Sequence, residues 1–192
     1  MHVCVRLPQK AQQVLGLFVG LVLCFSDAWA QFDKTAWPKR APTPKLIAPD
    51  LSGQAWDVSA LSGKVVVLNF WATWCSPCKE ELPTLQTLHD MSDGDTLVLT
   101  VNVREPAARA ARYMQSTGMT LPVISDTKGE FAKRWGVSVY PTTLLIAPDG
   151  LVRWRILGEV DWSGAQANAW LTEARQNASP IHTPSKSVTL KR

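Results

Sequence analysis

The sequence predicts an α/β domain in which a mixed central β-sheet carries helices on both faces, with an N-terminal hairpin as an extension. Three observations support this prediction. Strand-like apolar segments alternate with helix-like segments along most of the chain, which favours parallel strand neighbours. Two later strand-like segments are separated only by the turn sequence Pro148-Asp149-Gly150, which makes that pair antiparallel. The chain has 192 residues, of which 46% are hydrophobic, and this is enough for one sizeable core.

Residues 1–30 are predicted to be a secretory signal peptide. Arg6 and Lys10 form a basic head, an apolar run follows over 14–25, and residues 28–30 (Ala-Trp-Ala) place small side chains where a signal peptidase reads them. The apolar run is shorter than the roughly 18–20 residues that span a bilayer. We therefore expect a periplasmic or other extracytoplasmic protein, with an uncleaved inner-membrane anchor as the alternative.

The segments that flank the predicted domain have loop-like compositions. Residues 31–45 are rich in Pro, Lys and Thr and are expected to be a flexible linker, and residues 178–192 are expected to be a disordered basic tail. The domain itself is assigned to 46–177. Without residues 1–30 the chain keeps 18 basic and 15 acidic residues. This balance and the lack of a basic stripe with interleaved aromatics argue against nucleic acid as a partner.

The elements of the domain follow from apolar runs and their boundary residues. Nearly continuous β-branched runs indicate buried strands, whereas Pro and Gly mark where helices begin and end. The predicted elements are a hairpin over 46–61, strands over 65–70, 96–103, 121–124, 142–146 and 151–157, and helices over 76–91, 106–117, 128–135 and 161–176, the last capped by Asp161.

Cys75 and Cys78 stand where the first buried strand meets the start of a helix. The N-terminus of a helix has unpaired N–H groups and a partial positive charge of about +0.5, so it stabilises a thiolate at Cys75. Cys78 lies one turn further in and is expected to be more buried and less acidic. The spacing therefore predicts that Cys75 attacks a substrate disulfide and that Cys78 then releases the product.

Two other roles for the cysteine pair are less well supported by the sequence. Cys4 and Cys24 lie in the signal segment, so one pair remains, and a disulfide across so small a loop gains the least stabilisation from loop closure. A structural zinc ion needs four ligands, and neither His89 nor His182 has ligand-like spacing from the pair. We therefore expect no metal site and no cofactor beyond the redox-active disulfide itself.

Two segments resemble the thioredoxin superfamily. Residues 70–79 (FWATWCSPCK) look like its active-site segment, and the continuation 80–83 (EELP) is similar to the exported TlpA/ResA-like disulfide reductases. Residues 137–143 (VSVYPTT) resemble the second signature of that family. The resemblance implies a thioredoxin-like fold in which Pro141 is cis and lies beside the cysteine pair. An ordinary trans proline that opens a strand is the alternative.

The resemblance also directs attention to a proton partner. Thioredoxin itself has a buried acid six residues before its first cysteine, where this chain has Asn69. TlpA/ResA-like proteins have a Glu three residues after the second cysteine, which matches Glu81. We expect Glu81 to accept the proton of Cys78, with a pKa raised by burial; a solvated Glu81 is the alternative.

Four residues are predicted to contact substrate: Trp74, Pro77, Tyr140 and Pro141. Trp71 is expected in the core, and no role is assigned to the remaining tryptophans, which are Trp37, Trp56, Trp135, Trp154, Trp162 and Trp170.

The sequence thus predicts an exported thiol–disulfide oxidoreductase, most simply a monomeric reductase of client protein disulfides. The resemblance implies a membrane thiol–disulfide protein as its electron donor and apocytochrome c haem-site cysteines as a client. A peroxiredoxin-like peroxidase is one alternative, although such enzymes have T-x-x-C and this chain has Ala72 at the Thr position. A non-enzymatic binding or chaperone module on the same scaffold is the other.

Overall fold

A computed structural model describes residues 32–39 and 41–177 of the chain. Within these residues, one sheet has six strands, which are β1 Phe32–Ala36, β4 Val65–Trp71, β5 Thr96–Val103, β6 Val123–Asp126, β7 Thr142–Ile146 and β8 Val152–Gly158. Their order in the sheet is β1-β8-β7-β4-β5-β6. β4 pairs in parallel with β5 and β5 with β6, whereas β7 and β8 run antiparallel to their neighbours, so the sheet is mixed as predicted.

Over residues 41–177, four α-helices flank the sheet. Their bounds are α1 Ser76–Met91, α2 Ala107–Thr117, α3 Glu130–Arg134 and α4 Ala165–Gln176. The α2 helix begins after Pro106 and ends at Gly118, which takes a left-handed φ of 70° as a helix-terminating glycine does. Among the described residues, none of the helices has the length and apolar character required to span a bilayer.

The predicted N-terminal hairpin is present as a separate two-stranded sheet. β2 Ile47–Pro49 pairs antiparallel with β3 Ala55–Asp57, and Asp50 Oδ1 holds the turn by accepting hydrogen bonds from the backbone N–H groups of Ser52 and Gln54. A short 3-10 helix, Val58–Ala60, then leads towards the core.

Strand β4 lies at the centre of the hydrophobic core, and all seven of its residues are buried. Its neighbours β5 and β7 are also almost fully buried, which explains the nearly continuous apolar runs in the sequence. The carboxyl end of β4 therefore leaves the core at a fixed place, and the functional site lies directly after it.

The prediction of a flexible linker over 31–45 is wrong for its first part. Phe32–Ala36 forms the edge strand β1, which pairs antiparallel with β8. The Phe32 ring packs edge-on against Trp170 at 5.2 Å, and Lys34 Nζ lies 2.7 Å from Glu173 Oε2. The composition of the segment suggests a loop, but its pairing partner and the surface of α4 determine its conformation.

The start of the last helix also differs from the prediction. α4 begins at Ala165 after Gly164, and Asp161 lies before it. The Asp161 carboxylate accepts a hydrogen bond from the backbone N–H of Ser163 at 3.0 Å, so it stabilises a turn and does not cap the helix. The predicted signal peptide over 1–30 and the predicted tail over 178–192 lie outside the described residues.

Candidate active site

Cys75 and Cys78 form a disulfide at the N-terminus of α1, with an S–S distance of 2.09 Å and a Cα–Cα distance of 5.3 Å. Cys75 is the N-cap residue, and its Sγ accepts a hydrogen bond from the backbone N–H of Cys78 at 3.2 Å. Cys75 is the cysteine nearer solvent and is 6% exposed, whereas Cys78 is fully buried. This order of burial agrees with the predicted roles of an attacking and a resolving cysteine.

The strand before the helix and the helix itself set this geometry. β4 ends at Trp71, and the chain turns over 72–75, where the backbone N–H of Cys75 donates to the carbonyl of Ala72 at 3.2 Å. Pro77 occupies the first turn of α1, where its missing N–H leaves no helical hydrogen bond unmade. Pro77 lies at the surface, as a substrate-contacting residue must.

The Tyr140–Pro141 peptide bond is cis, as the resemblance implies. Tyr140 and Pro141 border a surface groove together with Ser76 and Pro77 of the cysteine loop. Gly158 at the end of β8 and the carboxylates of Glu80 and Glu159 complete the groove. The structure therefore brings the two distant sequence signatures together on one surface.

An exposed aromatic pair lies beside the disulfide. Trp74 is 55% exposed, and its ring lies edge-on to Tyr140 at 5.6 Å. Val139 adds further exposed apolar surface next to Tyr140. Such a surface next to a redox-active disulfide suits an apolar segment of a protein substrate. Trp71, in contrast, is fully buried in the core as predicted.

Glu81 is buried in the protein interior, where it is only 1% exposed. Its Oε1 accepts hydrogen bonds from the backbone N–H of Val160 at 3.2 Å and from Trp162 Nε1 at 2.8 Å, and its Oε2 accepts one from Asn69 Nδ2 at 2.8 Å. Burial raises the pKa of Glu81 to about 8, against the lowering effect of these three donors. The carboxyl group can therefore change its protonation state near neutral pH, as a proton acceptor for a thiol must.

No sequence motif assigns a role to Trp162, yet its indole N–H donates a hydrogen bond to Glu81. This residue lies 81 positions further along the chain, in the loop between β8 and α4. Asn69 stands where thioredoxin has a buried acid, and its Nδ2 donates hydrogen bonds both to Glu81 Oε2 at 2.8 Å and to Thr143 Oγ1 at 2.9 Å. No local pattern in the sequence predicts either contact, because both depend on how the strands are arranged.

Two carboxyl groups, those of Glu80 and Glu159, line the groove. Glu159 is partly buried, and its pKa is raised by this burial and further by the neighbouring carboxyl group of Glu80. In the part of the chain that the structure describes, neither side chain forms a salt bridge. Across residues 32–39 and 41–177, no cluster of three or more His, Cys, Asp or Glu residues is arranged to hold a metal ion.

Comparison with known proteins supports the chemistry that this geometry suggests. The sequence profile of the AhpC/TSA family matches residues 39–155. The chain is 41% identical over 111 residues to the thiol-disulfide oxidoreductase ResA of Bacillus subtilis, covering 57% of this chain and 62% of that protein. It is 32% identical over 159 residues to ResA of Bacillus thuringiensis subsp. konkukian, covering 79% and 91% of the two chains.

Solved structures show the same fold. A DsbF homologue from Corynebacterium diphtheriae superposes with a TM-score of 0.64 and 26% identity, covering 78% of this chain and 97% of that one. StoA from Bacillus subtilis superposes with a TM-score of 0.58 and 26% identity, covering 69% and 98%.

Proposed function

The chain belongs to the AhpC/TSA family within the thioredoxin superfamily and is a thioredoxin-like thiol–disulfide oxidoreductase, and from this premise we propose that it is an exported reductase of protein disulfides. The observation that supports the proposal most directly is the Cys75–Cys78 disulfide at the N-terminus of α1, on the same surface as the cis-Pro141 turn. The disulfide is itself the redox group, so the proposed reaction needs no further cofactor.

The proposed reaction is a two-step thiol–disulfide exchange. The Cys75 thiolate attacks one sulfur of a client disulfide, a client thiolate leaves, and Cys75 is joined to the client in a mixed disulfide. The Cys78 thiolate then attacks Cys75 Sγ, which restores the Cys75–Cys78 disulfide and releases the second client sulfur as a thiolate. The client gains two electrons, and an upstream membrane thiol–disulfide protein returns two electrons to the pair.

Glu81 and the groove have separate roles in this reaction. Glu81 accepts the proton of Cys78, so the resolving thiolate forms inside the protein where water is scarce. The Trp74–Tyr140 pair and Pro77 contact the client beside its disulfide. The turn at Pro141, which has no N–H of its own, leaves the backbone of Tyr140 as an edge for an extended client segment.

The reduction potential tests the direction of electron flow. The purified protein is equilibrated with defined thiol and disulfide buffers, and the oxidised fraction of Cys75–Cys78 is measured. We expect a potential near −270 mV, as in thioredoxin, and a value near −120 mV, as in the oxidant DsbA, would overturn the reductase proposal.

Reductase turnover of Glu81→Gln across pH 5–9 tests the proton acceptor. In the wild-type protein we expect turnover to rise as Glu81 ionises around pH 8. Glu81→Gln should turn over more slowly and should not show this rise around pH 8. Glu130 is an exposed glutamate of α3, and Glu130→Gln is therefore the matched control. An unchanged profile in Glu81→Gln contradicts the assignment.

The client is proposed to be a protein with a disulfide between haem-site cysteines, as in apocytochrome c. The Cys78→Ser variant lacks the resolving thiol and should accumulate a mixed disulfide between Cys75 and its client. Incubation with oxidised apocytochrome c should therefore give a covalent, dithiothreitol-sensitive complex, and the Cys75→Ser variant should give none. The absence of a complex with Cys78→Ser excludes this client.

The alternatives make opposite predictions in simple assays. A peroxidase requires turnover of hydrogen peroxide, and Ala72 has no hydroxyl group to assist it. A non-enzymatic binding or chaperone module requires that Cys75→Ser keep its binding to the client although the cysteine chemistry is lost. We expect neither result.

A further inference from the structure

A second buried carboxylate, that of Glu105, binds the loop that carries the cysteines. Glu105 lies just after β5 and is 3% exposed. Its Oε1 accepts hydrogen bonds from the backbone N–H of Thr73 at 2.8 Å and from Asn102 Nδ2 at 2.5 Å, and its Oε2 accepts one from Thr73 Oγ1 at 2.5 Å. Two of its three donors thus belong to one residue, which lies two positions before Cys75.

Holding a loop with a buried carboxylate has a larger desolvation penalty than holding it with a neutral side chain. Burying a carboxylate without a cation is unfavourable unless hydrogen bonds offset the lost hydration. Within the described part of the chain, Glu105 has no salt bridge to Lys, Arg or His, so these three donors must supply that stabilisation. The two Thr73 bonds hold both the backbone and the side chain of Thr73, which fixes its position more firmly than one bond would.

Thr73 lies inside the turn that places Cys75. The turn is closed by the hydrogen bond from the Cys75 N–H to the Ala72 carbonyl at 3.2 Å, so Thr73 lies between its two ends. Cys75 then caps α1, with its Sγ 3.2 Å from the backbone nitrogen of Cys78. A movement of Thr73 would therefore change where Cys75 Sγ lies relative to the N–H groups of the helix.

We propose that Glu105 is a positioning residue of the redox site, which holds Thr73 so that Cys75 Sγ stays at the N-terminus of α1, where a thiolate is stabilised. The proposal rests on the proposed function, because only a nucleophilic Cys75 needs this placement. Within residues 41–177, Glu105 makes no hydrogen bond to either sulfur atom, so it acts through the turn over 72–75.

The charge and the hydrogen bonds of Glu105 act in opposite directions on Cys75. A nearby negative charge disfavours a thiolate, whereas the tether favours it by keeping the sulfur at the helix N-terminus. Glu105→Gln separates the two effects. The Gln carbonyl can accept from the Thr73 N–H and from Asn102, and its amide can donate to Thr73 Oγ1, so all three contacts persist without the charge.

The test is the pH dependence of Cys75 alkylation by iodoacetamide in the reduced full chain. In Glu105→Ala we expect the midpoint of this pH dependence, which reports the ionisation of Cys75, to rise by about one pH unit. A shift of this size corresponds to a strong helix-terminus effect. Below the midpoint the alkylation rate then falls about tenfold, because only the thiolate reacts. In Glu105→Gln the midpoint should stay at the wild-type value or fall below it. Glu130→Ala is the matched surface control.

Thr73→Val provides a second variant if Glu105→Ala does not fold. It removes the hydroxyl bond to Glu105, keeps the side-chain volume, and should raise the midpoint by less than the Ala variant does. A purely structural role predicts a lower melting temperature with an unchanged midpoint, and that result in either folded variant overturns the proposal. The titration can be read whether or not the wild-type protein reduces disulfides, so failure of the proposed function is detected separately.

Discussion

Glu81 should make the stability of the oxidised protein depend on pH. In the unfolded chain its pKa is close to 4.5, whereas burial raises it to about 8 in the folded protein. Between these values the unfolded state binds fewer protons than the folded state, so the free energy of unfolding falls as pH rises. The expected loss is on the order of 1 kcal/mol per pH unit in this window.

Chemical denaturation of the oxidised protein from pH 4.5 to 8 measures this loss. Glu81→Gln has no titrating group at this position, so its stability should change much less over the same window. The oxidised form is used because its disulfide cysteines do not titrate. If the free energy of unfolding changes with pH in the same way in both proteins, Glu81 ionises in the folded protein at its ordinary pKa.

Trp162→Phe tests the hydrogen bond that the sequence did not predict. The indole N–H stabilises the charged form of Glu81, so its removal should raise the pKa of Glu81 further above about 8. Carbon-detected NMR titration of the Glu81 carboxyl group in the oxidised protein measures the shift. Trp170→Phe is a suitable control, because Trp170 packs against Trp162 at 6.3 Å while its ring makes no described contact with Glu81. A pKa that is unchanged in Trp162→Phe contradicts the assignment.

These residues show what spacing in the sequence can and cannot predict. Glu81 could be identified because it lies three positions after Cys78 on one helix and matches a known signature. Trp162 could not, because it lies 81 positions away and is brought to Glu81 by the loop after β8. The role of Glu105 could not be predicted for the same reason, because its partner Thr73 lies 32 positions earlier, after β4, whereas Glu105 follows β5.

At the scale of elements, the strand–turn–helix unit around the cysteines was predicted well and the edge strand β1 was not. The β4–α1 unit is encoded locally, by a continuous apolar run followed by Pro77 and an amphipathic helix. β1 has no such pattern, and β8 and α4 provide its stabilising partners. Helix α4 begins later than the sequence suggests because Asp161 forms a local turn first.

Lys34→Met measures how strongly β1 is held. Lys34 Nζ lies 2.7 Å from Glu173 Oε2 and 4.2 Å from the centre of the Trp154 ring, so the variant removes an ion pair and a cation–π contact. We expect the free energy of unfolding to fall by about 1 kcal/mol. Lys64→Met, at an exposed lysine before β4, is the matched control for urea denaturation, and equal stabilities of the two variants would show that these contacts contribute nothing.

At the scale of the whole molecule, the sheet order explains how the site is assembled. β4 and β7 are antiparallel neighbours with Phe70 opposite Thr142, so the end of β4 lies beside the start of β7. The cysteine loop follows β4, and Pro141 precedes β7. Leu157 of β8 is opposite Thr142, which brings the loop of Glu159 and Val160 to the same edge. Three segments that are far apart in sequence therefore meet because the sheet is mixed, which the sequence did predict.

The stability of the whole molecule also reports the direction of electron flow. By a thermodynamic cycle, the redox form with the higher free energy of unfolding is the one that folding favours, and DsbA is a strong oxidant because its reduced form is stabilised. A reductase should show the opposite order. We therefore expect the oxidised protein to unfold at a higher urea concentration than the reduced protein, with a difference of roughly 2 kcal/mol from the small disulfide loop.

Urea denaturation of both forms at pH 7, with and without dithiothreitol, measures this difference, and the double variant Cys75→Ser/Cys78→Ser should be insensitive to the reductant. For a two-electron couple, about 1.4 kcal/mol corresponds to roughly 30 mV, so the stability difference must match the difference between the potentials measured for the folded and for the urea-unfolded Cys75–Cys78 pair. A reduced form that is more stable than the oxidised form would mean that the fold drives oxidation of its clients, and the proposed direction of electron flow would then be reversed.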